Sequence, residues 1–220
     1  MQTRQDKSNV VALSGFRKDM KFPALSEVKA YWEALRNGRQ VPMRSEIDPR
    51  GIERALEHAF ILERVAPQVA RFRLAGMHLT DLMGMEVRGM PTTALFTPTA
   101  RARAAEAVED VFARPAVTEL VLGAETGFGK PPLEARMLLL PLQSDLGDIS
   151  RALGCLVAEG HIGRAPRRFD ILDVVSSPVA WSGRASAASQ ATPGLAEEQR
   201  PFAVAPTISR SHLRLVKTDR

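Results

Sequence analysis

Between Phe60 and Glu159 the spacing of apolar residues changes from strand-like to helical and back. Two short strand-like runs come first, Phe60–Val65 and Val69–Ala75, parted by Pro67-Gln68, which suits a tight hairpin. Phe72 and Leu74 alternate with Arg71 and Arg73, the period-two signature of a strand. A turn-rich and helical middle, Gly76–Phe112, follows. Three further strand-like runs close the segment: Ala116–Leu122, Leu133–Leu142 and Ile149–Glu159. In the first of these Thr118, Leu120 and Leu122 share one face, and Val117, Glu119 and Val121 the other. This order predicts an α+β fold: one five-stranded antiparallel sheet, with a helical insert on one face. The fourth strand is apolar on both faces through Met137-Leu138-Leu139-Leu140, so both sides of the sheet must be covered there.

Helical signals flank and interrupt the strands. Ser26–Asn37 reads as a helix capped by Ser26 and ended by Asn37-Gly38. Val28, Tyr31, Trp32 and Leu35 fall at i, i+3, i+4, i+7 and form one apolar stripe. A second helix is expected from Asp48, with Pro49 in its first turn and Ile52, Ala55 and Leu56 on its buried edge. These stripes must meet the sheet or another copy of the chain. Thr97-Pro98 is expected to open a helix running to Phe112, with Arg101, Arg103, Glu106, Glu109 and Asp110 mostly outside. Gly147 can supply a positive φ in the turn before the last strand. In that strand Ala152 and Gly154 leave room for a ligand or for a bulky neighbour such as Phe72.

Charge changes the picture at the ends. The chain carries 30 Lys and Arg against 25 Asp and Glu. Residues 60–159 hold 10 basic and 12 acidic groups, whereas residues 1–24 hold 5 and 2, and residues 160–220 hold 9 and 5. The excess is in the tails, so no folded basic face is expected and nucleic acid is not the preferred partner. Residues 1–24 read as a flexible N-terminus and residues 25–59 as a helical cap. Residues 160–220 read as a mostly disordered basic tail, rich in Ser, Ala, Pro, Gly and Gln over Ser176–Pro206. In it Phe169–Val175 can dock as a short helix or strand, and His212–Lys217 can add as a strand. The single Cys155 excludes an intramolecular disulfide and fits a reducing cytoplasm. No leader-like or membrane-spanning apolar run is seen, so the chain reads as soluble and cytoplasmic.

Candidate chemistry is sparse. Gly123–Lys130 has one residue too many for a phosphate loop, Pro131 stands in the place of its Ser or Thr, and it joins two strands. It is a hairpin loop. His58, His78, His161 and His212 show no metal-ligand spacing, and no Gly-x-Ser-x-Gly elbow occurs. Met77, Met83, Met85 and Met90 suit either an adaptable pocket or an ordinary core.

The order of elements resembles a PAS domain. The turn Gly84-Met85-Glu86-Val87-Arg88-Gly89 is similar to the one that opens the middle helices of many such domains. Trp32-Glu33-Ala34-Leu35-Arg36 and Val41–Pro49 resemble the N-terminal signature of a compact alphaproteobacterial PAS family. Phe60–Glu63, Arg71–Gly76, Gly163–Phe169 and Leu213–Val216 continue the likeness. It implies a sensory or regulatory module without intrinsic catalysis. A cofactor held in the insert would make His78 a haem ligand or Cys155 a flavin-reactive thiol. His78 has no second ligand pattern and Cys155 lacks the Asn-Cys-Arg-Phe-Leu run of light-sensing relatives, so neither haem nor flavin is supported and the cofactor is left unknown. Two readings follow. In one, Phe72, Leu74, Leu79, Leu82, Met85, Leu95, Phe96, Leu120 and Leu153 line a small apolar ligand pocket that gates contact with a signalling protein. In the other, the chain is a constitutive homodimeric adaptor joined through Val28, Tyr31, Trp32 and Leu35.

Overall fold

The computed structural model describes residues 21–180; the expectations for the first twenty residues and for His212–Lys217 lie outside them. The strands are β1 (Ala59–Ala66), β2 (Val69–Ala75), β3 (Ala116–Ala124), β4 (Glu134–Leu142), β5 (Arg151–Glu159) and β6 (Phe169–Pro178). They form one antiparallel sheet in the order β2-β1-β5-β4-β3-β6. The sheet thus has six strands rather than five. The extra one comes from Phe169–Val175 and its continuation, which had been placed in the tail and which pairs with β3 along its whole length.

Both faces of the sheet are covered. The central strands alternate strictly between two apolar clusters: Met137 and Leu139 of β4 lie in the inner one, Leu138, Leu140 and Leu142 in the outer one. The inner cover is the insert, made of α2 (Met77–Met83), a 3₁₀ turn at Thr92–Leu95 and α3 (Arg101–Ala113). The outer cover is α1 (Pro23–Arg36) with 3₁₀ turns at Arg44–Glu46 and Pro49–His58. Each fully buried aliphatic or aromatic side chain in such a layer contributes about 1.5–3 kcal/mol, so two filled layers carry this fold.

Several local readings shift. The first helix begins at Pro23, with Phe22 rather than Ser26 at its cap position. Asp48 does cap its turn, accepting from the Arg50 amide at 3.0 Å. The Pro49–His58 segment is 3₁₀, and Ile52 (φ −133°, ψ 32°) leaves helical geometry to reach the core. α3 starts at Arg101, not Pro98, because the Thr97 hydroxyl is drawn to the Asp170 carboxylate on β6 instead of the helix amides. Gly147 takes φ +91° as its turn requires.

The room beside Gly154 is filled by Phe60, not Phe72. A Cβ on Gly154 would stand 2.0 Å from the Phe60 ring, and Phe72 packs edge-on against Phe60 at 5.3 Å. We expect Gly154→Val to lower the urea midpoint by an amount equivalent to about 2 kcal/mol or more, since a buried ring must be displaced. An unchanged midpoint would show that Phe60 can leave freely.

Candidate functional site

The inner layer is where a pocket was expected. Phe72, Leu79, Leu82, Leu95, Phe96 and Leu120 do come together there, all fully buried. Their mutual packing with Phe60, Leu62 and Phe169 fills the layer with the chain's own side chains. The other three candidates lie elsewhere. Met85 is 55% exposed beyond the end of α2, and Leu74 is 50% exposed. Leu153 belongs to the outer cluster. Leu74 is displaced by a β-bulge: Leu62 pairs with Phe72 but Ile61 pairs with Leu74, so Arg73 is the extra residue. Ile61 faces outward, and Leu74 follows it.

The proposed pairing stripe is also engaged within the chain. Val28 and Trp32 are fully buried, and the Trp32 indole donates to the Pro141 carbonyl at 2.9 Å. The Tyr31 hydroxyl accepts from the Asp48 amide at 2.7 Å and donates to its carbonyl at 3.1 Å. Leu35 is half-buried. Val28 and Trp32 thus face the sheet, while Tyr31 is held against the Asp48 turn.

His78 sits at a gap in the sheet. β1 pairs with β5 only as far as Ala59–Cys155, so beyond it the Ala158 amide has no strand neighbour on that side. The His78 Nε2 accepts from it at 3.0 Å. The His58 ring meets His78 edge-on at 4.6 Å. Burial first, then the neighbouring His58, pushes the His78 pKa down to about 4, while Asp81 and Glu57 act in the opposite direction. The acceptor role and this depression both require a neutral ring. Cys155 is buried in the outer cluster, and burial pushes its thiol up to about 12, an unreactive state.

Two polar devices escaped the sequence reading. Arg167 had been read as part of a basic turn, yet it is fully buried. Its guanidinium donates to the carbonyls of Glu125 (3.0 Å), Pro131 (2.6 Å) and Ile162, and its own amide donates to Leu82 O at 2.7 Å. Burial lowers its pKa, with the Glu125 charge opposing. Side chain and amide of this one residue thereby tie the β3–β4 loop, the approach to β6 and the end of α2 together. Glu109, assigned to the outer face of α3, instead grips Arg64 on β1 (3.0 Å to Nε) and the Gln68 amide in the first hairpin (2.9 Å). The Arg64 hydrogen bond holds its carboxyl below the usual range.

Three open clefts adjoin the outer layer. Two clefts of about 300 Å³ flank Phe22, one between α1 and the β3–β4 surface, the other between Lys21-Phe22 and strands β3, β4 and β6. Arg136 crosses them, stacked on Phe22 at 5.2 Å and paired with Glu119 at 2.7 Å. Leu172 (64% exposed) lines the second cleft, and Val175 (55%) stands farther along β6. A third, more apolar cleft of about 190 Å³ lies at the other end, between the Pro49–His58 turn and strands β1, β2 and β5. Among the described residues no helix is long and apolar enough to cross a membrane, and no three His, Cys, Asp or Glu side chains gather as a metal site.

A family model described as "PAS domain" matches residues 20–157. No protein with a curated description matches the chain. Among solved structures, one described as "Flavin Analogue Sheds Light on Light-Oxygen-Voltage Domain Mechanism" is similar at 18% identity and TM-score 0.40, covering 51% of this chain and 84% of that one. Another, "Structure of an RNA-binding Light-Oxygen-Voltage Receptor", is similar at 18% identity and TM-score 0.36, covering 53% of this chain and 35% of that one.

Two measurements check this geometry. Between the ordinary His value of 6.5 and the folded value of about 4, the unfolded chain binds more protons than the native one, so stability present above pH 6.5 is lost as pH falls toward 4. Urea titrations over this range should show a fall of roughly 2 kcal/mol in the wild type that is absent from His78→Gln. Equal slopes in the two proteins would show His78 already charged. Arg167→Met should cost about 3 kcal/mol, because three carbonyls lose a buried donor. Arg167→Lys should not restore it, since an ammonium lacks the planar fork; full rescue by Lys would contradict that geometry.

Proposed function

The chain belongs to the PAS domain family, and on that premise we propose that it is a cytoplasmic sensory or regulatory module working by protein contact rather than by chemistry. The observation that carries this reading is the half of the outer sheet face that no helix among the described residues covers. α1 covers β5 and β4, whereas Leu172 and Val175 are left to solvent beside two clefts. Apolar side chains set beside polar-rimmed grooves mark interaction surfaces. Because β6 is an edge strand and two-fold pairing is the commonest closed assembly, the partner proposed is a second copy joined across this half of the face. This moves the interface from Val28 and Trp32 to β6.

A second reading, a constitutive adaptor without ligand, is favoured by one specific observation: the inner layer is occupied by Phe60, Phe72, Phe96 and their neighbours. The two share the same contact surface. Leu172→Glu with Val175→Glu changes only exposed positions, so the melting temperature should hold. Native mass measured over a concentration series should fall from dimer to monomer. A wild type that stays monomeric at high concentration, or a variant that still pairs, would end the β6 assignment.

A further inference from the structure

The cleft beside the Pro49–His58 turn combines an apolar wall with the side chain of Arg44. Ile47, Ile52, Leu56, Ile61, Leu74 and Leu153 line it, together with Arg44. Arg44 is half-buried, and among the described residues its guanidinium makes no ion pair or side-chain hydrogen bond. The neighbouring charges are committed elsewhere: Glu46 is paired with Arg39 at 2.8 Å, and Asp48 accepts from the Arg50 amide. Leu74 stands at the cleft because the bulge at Arg73 has turned it outward, and Leu56 is also partly exposed there.

A half-buried guanidinium without a counterion attracts an anion, and an apolar wall adds favourable contact only with hydrocarbon. The two requirements meet in one ligand class. We propose that this cleft binds a short aliphatic carboxylate, its head on Arg44 and its chain against Ile61, Leu74 and Leu153. The cleft, about 190 Å³ in volume, has room for a short chain of a few carbons. Such a ligand touches the cap through Arg44, Ile47, Ile52 and Leu56, and the sheet through Ile61, Leu74 and Leu153, so occupancy fastens one layer to the other. The site is independent of pairing through β6.

The test uses hexanoate and the full chain, followed by backbone amide chemical shifts and melting temperature. Saturable shifts at Ile61, Leu74 and Leu153 in the millimolar range are expected, with a rise in melting temperature. Arg44→Ala should weaken hexanoate roughly ten-fold or more, because a hydrogen bond to a charged group is lost. Leu74→Asp, at an exposed position, should abolish binding by setting a carboxylate at the mouth while leaving the fold intact. Hexanol should bind at least ten-fold more weakly than hexanoate. The proposal is overturned by equal affinity for hexanol, which would make the cleft a plain apolar contact surface. It is also overturned by undiminished binding in Arg44→Ala, or by no shift in the tens of millimolar.

Discussion

A strand that is apolar on both faces cannot stop at one cover. Met137–Leu140 of β4, and Ala152–Val157 of β5 beside it, place side chains alternately above and below the middle of the sheet. Leaving either side to water would forfeit the burial of four or five side chains, several kcal/mol in a fold whose net stability is of that order. The three-layer arrangement follows from this constraint. The insert seals one face, α1 and the cap seal the other, and the Val28–Trp32 stripe is committed to that seal.

Layers packed by apolar contact alone do not fix the loops that join them. Polar anchors do so here. Arg167 gathers three carbonyls at the entrance to β6, Glu109 holds the first hairpin, and Trp32 pins α1 to the Pro141 carbonyl. Arg36 carries the tie further by donating to Ala180 O at 2.8 Å, just past the end of β6. A cation buried among carbonyls without a carboxylate is stable only if its donors are matched in geometry, which is why Arg is suited to the task.

The strands of the core and the need for two covers were legible because β3, β4 and β5 keep an unbroken period of two. Where that period breaks, reading by alternation fails. The bulge in β2 reverses Leu74, and a second bulge between Val121 and Leu122 shifts β6 so that Ile171 and Val174, three apart, face the inner layer. That irregular spacing, in a segment preceded by three arginines, left Phe169–Val175 undecided between helix and strand and outside the expected sheet. Arg167 and Glu109 were hidden for another reason. A charged residue carries no mark in the sequence that tells a solvated face from a buried clamp. Of the pocket candidates, those on regular strands or at helical spacing within the insert lie together in the inner layer; those beside a bulge, past a helix end, or on the outward face of β5 lie elsewhere.

The contrast between the two covers decides where this molecule can respond. On the inner side, Phe60 against Gly154 and Phe72 against Phe60 interlock, and moving α2 or α3 would open a void. On the outer side the Arg44–His58 stretch is short 3₁₀ structure, interrupted at Ile52. It is attached by a few directional contacts: Tyr31 with Asp48, and the Arg44 amide with the Gln143 carbonyl at 2.8 Å. It also leaves a cleft between itself and β1 and β2. Local opening requires the least free energy where buried apolar contacts are fewest. On the proposed reading, a ligand that touches both cap and sheet would bias that equilibrium only through contacts it makes in one arrangement and not the other.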